Sequence, residues 1–138
     1  MTRMSVVLPW GLALFASAAI TQAAVPASRA ESKNMELVGY SDLQARTAYQ
    51  PIVQKQGDRY IAYVGHHGDI KVNPLNGQTE NNGTSIVDVT NPKKPVQLAH
   101  IPGETGKAEQ GGAQMVRVCS GDTLPKGVKG KWYMLRVF

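Results

Sequence analysis

Apolar and polar residues alternate in short runs along most of the chain, and turn-forming residues separate these runs. The runs are rich in β-branched and aromatic residues, so each of them predicts a β-strand. Pairs such as Gly57-Asp58, Asn76-Gly77 and Asn82-Gly83 lie between the runs and favour tight turns. The predicted strands are residues 35–40, 49–55, 60–64, 84–89, 96–101, 113–118 and 131–138.

Glycine and proline decide the fold class. Residues 41–48 are the one candidate for a helix, a single turn capped by Ser41. The 14 glycines and eight prolines are spread along the chain and would break longer helices repeatedly. Pro51 lacks a backbone N–H, which confines the strand at 49–55 to a sheet edge or confines Pro51 to the start of the strand. We therefore expect an all-β sandwich, barrel or propeller.

Two of the predicted strands carry more specific expectations. Val96, Leu98 and His100 alternate along the chain, which predicts that they share one face of their strand. Residues 131–138 form the most apolar predicted strand, and no turn or polar tail follows Phe138. Such a strand needs a neighbour, since an exposed apolar edge promotes aggregation. We expect that the chain is part of a longer protein.

The first residues have the pattern of an export signal. Arg3 supplies a positive charge, and the apolar run at 6–20 is too short for a membrane span of about 20 residues. Signal peptidase would cleave after Ala23, or alternatively after Ala27. The cleaved protein would be periplasmic or secreted, without a stable membrane anchor. The predicted divisions are a signal peptide at 1–23, a flexible leader at 24–34 and one β domain at 35–138.

Composition narrows the range of partners. A chain of 138 residues predicts one domain, and its single cysteine, Cys119, excludes an internal disulfide framework. Cys119 would either be buried or pair with a cysteine outside this chain. The net charge of +5 is modest, and an exported protein does not meet nucleic acid, so we expect no nucleic-acid partner. The basic stretch near the end is then a solvated turn, formed by Lys126, Lys129, Lys131 and Arg136.

The segment GTSIVDVTNPKKP at residues 83–95 resembles the LVIVD repeat, a β-propeller-type repeat of exported bacterial proteins. The pattern is an apolar strand, an aspartate, and a turn with two prolines. The aspartate is expected to accept hydrogen bonds from backbone amides of the turn. The residues that match are Ile86, Val87, Asp88, Val89, Thr90, Asn91, Pro92 and Pro95.

This resemblance implies an arrangement of the strands. The strands at 49–55, 60–64, 84–89 and 96–101 would form one four-stranded blade. Those at 113–118 and 131–138 would begin a second blade, and residues 35–40 would be an outer strand that closes the ring. The chain would then hold about one and a half antiparallel blades, an incomplete ring, because a propeller needs about four to eight.

Two functions remain open at this stage. The resemblance and the absence of a catalytic motif favour a non-enzymatic binding or scaffold module that presents its loops to an unidentified protein or small molecule. No cofactor is expected in that case. The alternative is a propeller enzyme with a divalent metal at a channel-facing site. Its weak candidate ligands are His66, His67 and Asp69, with His100 and Glu80 as further donors.

Two loops carry other polar candidates. Residues 69–83 are rich in side-chain oxygens and contain a glycosylation sequon at Asn82, but the regular spacing of a calcium loop is absent. Glu104 and Glu109 lie between the two proposed blades, where loops line a channel or ligand face. They would be either solvated charges or a pair of acid and base groups.

Overall fold

The computed structural model describes residues 33–137. The predicted signal peptide, almost all of the predicted leader and Phe138 lie outside the described residues. Within them, the protein is all-β, as predicted from the sequence, with antiparallel pairing throughout. The strands are β1 (Ala48–Gln56), β2 (Arg59–Gly68), β3 (Ile70–Val72), β4 (Thr79–Asn81), β5 (Gly83–Asp88), β6 (Val96–Pro102), β7 (Ala108–Ala113), β8 (Val116–Ser120) and β9 (Trp132–Arg136).

The main sheet has the order β1-β2-β5-β6, so the four strands predicted for one blade pair as neighbours. β1 is an edge strand, one of the two placements that Pro51 allows, and its register shifts between Tyr49 and Ile52. β7 pairs with the last residues of β2, beyond the point where β5 ends its pairing. Strand β2 is therefore the centre of the sheet, and its residues from Ile61 to His66 are buried.

The two faces of the main sheet bury different residues. Face 1 carries Ala62, Val64 and Val87, which pack with Leu43 from the segment before β1. Face 2 carries Ile61 and Tyr63 and is covered by the β8–β9 hairpin. The hairpin contributes three apolar side chains to this second core, Val116, Val118 and Met134.

The segment before β1 differs from the prediction. Residues 35–40 do not form a strand, and they pair with no strand among the described residues. The backbone of Gly39 lies against the β5–β6 turn instead, where an added Cβ would lie 1.7 Å from the carbonyl oxygen of Pro92. This close contact positions the segment by backbone packing rather than by pairing with a described strand, and its role as the outer strand of a last blade stays a prediction.

The predicted helix is reduced to a 3-10 turn at Leu43–Ala45. Its cap is Asp42 rather than Ser41, because the Asp42 carboxylate accepts a hydrogen bond from the Gln44 amide at 3.0 Å. All three residues of the turn have positive φ, between 48° and 60°. A left-handed turn cannot continue into an α-helix of L-residues, so the chain leaves it extended at Arg46.

A bulge in β6 overturns the expected sharing of a face by Val96, Leu98 and His100. The register shifts so that Ile86 opposes Ala99 while Val87 opposes Gln97, which leaves Leu98 as the extra residue. One extra residue exchanges the faces of the side chains that follow it. His100 therefore lies opposite Ser85 on face 1, whereas Leu98 borders a depression on face 2 with Tyr63 and Ile86.

Three strands lie where loops were predicted. The long loop between β2 and β5 contains the β3–β4 hairpin. β7 forms from the glycine-rich loop after β6, and the predicted strand at 113–118 is divided between the end of β7 and β8. The final strand, β9, pairs with β8 as predicted.

Candidate functional site

The residues that match the repeat form the β5–β6 hairpin and its turn. The Asp88 carboxylate accepts a hydrogen bond from the Thr90 amide at 2.9 Å, which confirms the predicted contact with the turn backbone. It also forms an ion pair with Arg59 at 2.9 Å. Hydrogen bonds from Thr90 and Arg59 stabilise the charged form, so they lower the pKa of Asp88. Asn91 closes the turn by accepting from the Lys93 amide.

A buried polar cluster occupies one end of face 1. His66 and Ser85 are fully buried, and His100 is almost so. The Ser85 hydroxyl lies between the two imidazoles, 2.8 Å from His66 Nε2 and 3.3 Å from His100 Nδ1. The outer ring nitrogens contact backbone carbonyls, His66 Nδ1 that of Thr47 and His100 Nε2 that of Asn81, each at 3.0 Å.

Counting donors in this cluster fixes the tautomers of the neutral rings. A carbonyl only accepts, so His66 carries its proton on Nδ1 and His100 carries its proton on Nε2. The two inner nitrogens are then both acceptors, and the Ser85 hydroxyl has a single proton to donate. The shorter distance assigns that proton to His66 Nε2, so His100 Nδ1 faces an oxygen lone pair. One added proton on His100 would complete the chain of hydrogen bonds.

Burial opposes that added proton. Desolvation lowers the pKa of His66 to about 4, despite the favourable hydrogen bond to Thr47. Desolvation also lowers the pKa of His100, and the positive charges of Arg46 and Arg136 act in the same direction against Glu80. Both imidazole rings are therefore neutral at pH 7, and neither histidine adds a charge to the cluster.

Arg46 extends the buried cluster towards the β3–β4 hairpin. Its guanidinium donates to Asn82 Oδ1 and, at 3.3 Å, to the carbonyl of Lys71. Asn82 is fully buried and donates in turn to the His67 carbonyl at 2.9 Å. The sequon at Asn82 is thus inaccessible for glycosylation in the folded protein. The two side chains tie β2, β3 and β5 to the segment before β1.

The change Arg46→Met tests this connection. We expect a loss of about 2 kcal/mol in the free energy of unfolding, because Asn82 Oδ1 would remain buried without its donor. Urea denaturation monitored by circular dichroism measures the loss. The matched control is Arg59→Met, since the Arg59 side chain is 52% exposed and surface ion pairs contribute about 0–1 kcal/mol. Equal losses in the two variants would contradict the role given to Arg46.

The structure brings the candidate donors His66 and His100 together around Ser85 but separates His66, His67 and Asp69 from one another. His66 lies on face 1, and both its ring nitrogens are within hydrogen-bond distance of protein atoms. His67 points to face 2, where its ring contacts Tyr49 edge-on at 4.9 Å. Asp69 is paired with Lys71 at 3.0 Å. Within residues 33–137, no group of three or more His, Cys, Asp or Glu side chains is placed to hold a metal ion.

The oxygen-rich loop is held together by its own side chains. Glu80 accepts hydrogen bonds from the amide groups of Asn73 and Asn76, at 3.0 and 2.7 Å. Hydrogen bonds from Asn76 and Asn73 lower the pKa of Glu80. Because the two amides present N–H groups to the carboxylate, these three side chains stabilise the β3–β4 turn.

Glu104 and Glu109 both line an open cleft of about 400 Å³ beside β7. Backbone hydrogen bonds between Glu104 and Gly112, at 2.9 and 3.1 Å, fold the loop over the end of β2. The Glu109 carboxylate lies 3.5 Å from His67 Nδ1, within ion-pair distance but without hydrogen-bond geometry. The side chains that line the cleft are Glu104, Glu109, Gln110, Gln114, Met115 and Val137.

The remaining candidates lie apart from this cleft. Cys119 is a free thiol at intermediate burial on β8. Lys126, Lys129 and Lys131 are exposed on the connection between β8 and β9. Arg136 instead donates hydrogen bonds to the carbonyls of Ile101 and Pro102 at the end of β6. Among the helical residues described, none belongs to a helix long and apolar enough to cross a membrane.

Sequence reasoning did not identify Ser85 and Thr47 as hydrogen-bond partners of His66, nor Arg46 as part of the same buried cluster. These residues come together only in the folded chain. The β2–β5 register places Ser85 opposite Val64, and the turn before β1 brings in the residues that follow it. The burial of a histidine and a serine on adjacent strands could be inferred from the alternation of their neighbours. The bulge that brings His100 to the same face left no signal in the sequence.

Comparison with known proteins adds no relative. No protein-family model matches the chain, and no curated protein or solved structure matches it at a significant level.

Proposed function

We propose that this chain is an exported, non-enzymatic binding or scaffold module of the LVIVD-repeat β-propeller type. Its ligand, a protein or a small molecule, would bind at the loops beside the main sheet. The observation that carries the proposal is the open cleft at Glu104 and Glu109, which is lined by β7, by the connections on either side of it and by Val137 after β9. Such loops, positioned by a rigid sheet, commonly carry binding functions.

The strand arrangement supports the propeller part of the proposal. The main sheet contains a four-stranded antiparallel meander, the unit of a propeller blade, and the repeat-like residues form its last hairpin. The β8–β9 hairpin packs against face 2 of that sheet, as the first strands of a neighbouring blade would. Export rests on the signal-like pattern at residues 1–23.

The buried cluster supports a non-enzymatic role. Ser85 and His66 share the hydrogen bond that an activated serine nucleophile requires. Both side chains are fully buried, so a substrate cannot reach Ser85 Oγ in this fold. The alternative metal enzyme needs an available ring nitrogen on a channel-facing histidine. Both nitrogens of His66 already contact protein, so His67 is the histidine on which that alternative depends.

The charge of the cleft suggests the first ligands to test. Two carboxylates and two carboxamides line it together with Met115 and Val137, and none of the lining side chains is basic. We expect small primary amines with an apolar stem to bind there in preference to carboxylates of the same size. Putrescine and succinate are suitable probes, titrated into the isotope-labelled full chain and followed by amide NMR shifts.

The expected result is that putrescine shifts the amides of residues 110–115 and that succinate does not. Glu109→Gln should weaken putrescine binding by roughly tenfold, as expected for loss of one direct charge contact. Glu36→Gln is the matched control, because Glu36 is an exposed carboxylate that does not line the cleft. The proposal would be contradicted if putrescine shifted amide signals only outside residues 110–115, or if the protein converted the probe into a product.

A further inference from the structure

Two asparagines of the chain, Asn76 and Asn82, are each followed by glycine. Asparagine is a chemically labile residue. It loses its side-chain amide when the backbone nitrogen of the next residue attacks the side-chain carbonyl carbon, and glycine favours this attack because it has no Cβ to hinder the approach. Asn73 and Asn91 precede prolines, whose nitrogens carry no proton to lose. The sequence therefore favours deamidation at Asn76 and Asn82.

The fold protects Asn82 from this reaction. Asn82 is fully buried, its side-chain oxygen accepts a hydrogen bond from Arg46, and its amide group donates to the His67 carbonyl at 2.9 Å. The backbone of Gly83 is packed so closely that an added Cβ would lie 2.0 Å from the carbonyl oxygen of Ile101. Neither the side chain nor the attacking nitrogen can move without disrupting β5.

Asn76 lies instead in the exposed turn between β3 and β4. Gly77 has φ of +72°, and no described atom lies within 4 Å of a Cβ added there, so the backbone has room to move. Hydrogen bonds hold the turn closed. The Asn76 side chain donates to Glu80 at 2.7 Å and accepts from the Gln78 amide at 2.9 Å. The Gly77 N–H donates to the Asn73 carbonyl at 2.8 Å, so its nitrogen can lose the proton to solvent only when this bond opens.

We propose that Asn76 is a site of spontaneous deamidation and that its conversion opens the β3–β4 turn for good. When the turn opens locally, the Gly77 nitrogen gives its proton to hydroxide and bonds to Asn76 Cγ. The bond between Cγ and Nδ2 then breaks, and the amide group takes a proton from water and leaves as ammonia. Water hydrolyses the cyclic imide to aspartate or isoaspartate. Nothing is oxidised or reduced, and water is the co-reactant.

The product cannot close the turn again. A carboxylate at position 76 has no N–H to donate to Glu80, and it places a second negative charge within hydrogen-bond distance of the first. Isoaspartate also lengthens the backbone of the turn by one methylene group. Because the change is irreversible, the modified fraction records the age of the folded protein. This inference does not depend on the proposed function.

Incubation of the full chain in mildly alkaline buffer, folded or in urea, tests the assignment of the site. The tryptic peptide 72–93 contains both Asn-Gly pairs, and tandem mass spectrometry locates the exchange of NH₂ for OH within it. In the folded chain we expect Asn76 to react at least about tenfold faster than Asn82. In urea the two should react at similar rates, because only the local sequence then matters. An Asn76 that reacts no faster than Asn82 in the folded chain would overturn the assignment.

The variant Glu80→Ala tests the hydrogen bonds that keep the turn closed. It removes the acceptor of the Asn76 side chain, so we expect deamidation at Asn76 to become roughly tenfold faster in the folded chain. Glu36→Ala is the matched control, because Glu36 is an exposed carboxylate outside the turn, and its variant should react at the original rate. An unchanged rate in Glu80→Ala would contradict the control of the reaction by the closed turn.

The variant Asn76→Asp reproduces one product and tests its effect on the structure. We expect hydrogen exchange of the Gly77 amide to become faster, while the amide of Val64 in the main sheet keeps its original rate. Gly77 exchange that stays unchanged would overturn the opening of the turn. This variant also decides the case in which Glu80→Ala accelerates reaction at Asn82 as well, which would show that Glu80→Ala has lost the fold.

Discussion

Gly112→Ala is expected to lower the free energy of unfolding by about 4 kcal/mol or more, the largest loss we predict for a single substitution. Gly112 has φ of +82°, and a Cβ there would lie 2.2 Å from the carbonyl oxygen of His66. The contact is with the backbone of the central strand, so no side chain can move to relieve it. β7 would separate from β2, and the cleft would lose its framework.

Gly130→Ala is the matched control for this prediction. Gly130 has a similar φ of +71°, but a Cβ added at this position would have no neighbouring atom within 4 Å. Only the cost of the left-handed backbone applies there, which is about 1 kcal/mol. Urea denaturation of the two variants measures the difference. Equal losses would show that the chain around β7 is not packed as described.

Acidification is expected to destabilise the protein by about 2.5 kcal/mol between pH 7.5 and pH 4.5 through His66 alone. Burial lowers the pKa of His66 to about 4, whereas the unfolded chain has the ordinary value of 6.5. The unfolded state therefore takes up the proton first as the pH falls. The stability that neutral His66 provides is complete above pH 6.5 and is lost progressively towards pH 4. The lowered pKa of His100 acts in the same direction.

Two measurements check the acid prediction. Urea denaturation at several pH values gives the loss of stability, and NMR titration of the imidazole carbons gives the pKa of His66 directly. His67→Gln is the matched control, because His67 follows His66 in the chain but lies on the opposite face of the sheet. This variant should lose as much stability on acidification as the unmodified protein does. An ordinary pKa for His66 would contradict the buried cluster.

Local sequence patterns predicted the parts of the fold that depend on neighbouring residues. The strands around Tyr63 and Val87, the edge position of Pro51 and the contact of Asp88 with its turn follow from strand propensity and turn chemistry. These features need no information about the rest of the chain. The pairing of the final two strands was implied by the resemblance to the repeat family, and the structure pairs β8 with β9.

The buried cluster depends on register, which the sequence does not specify locally. Bringing His100 to Ser85 requires one extra residue in β6, and a shift of one residue moves every later side chain to the other face. β7 has almost no strand-forming residues, yet it pairs with β2 because Gly112 allows two backbones to approach closely. Gly39 and Pro92 likewise replace a predicted strand by backbone contact.

The β8–β9 hairpin is the element on which the proposed cleft depends, because it covers face 2 and borders the cleft through Val137. Amide hydrogen exchange of the full chain, resolved by residue, tests that arrangement. The predicted pattern is slow exchange at Tyr133 and Leu135, which donate to β8, and fast exchange at Met134 between them. Uniformly fast exchange across residues 132–137 would contradict the hairpin.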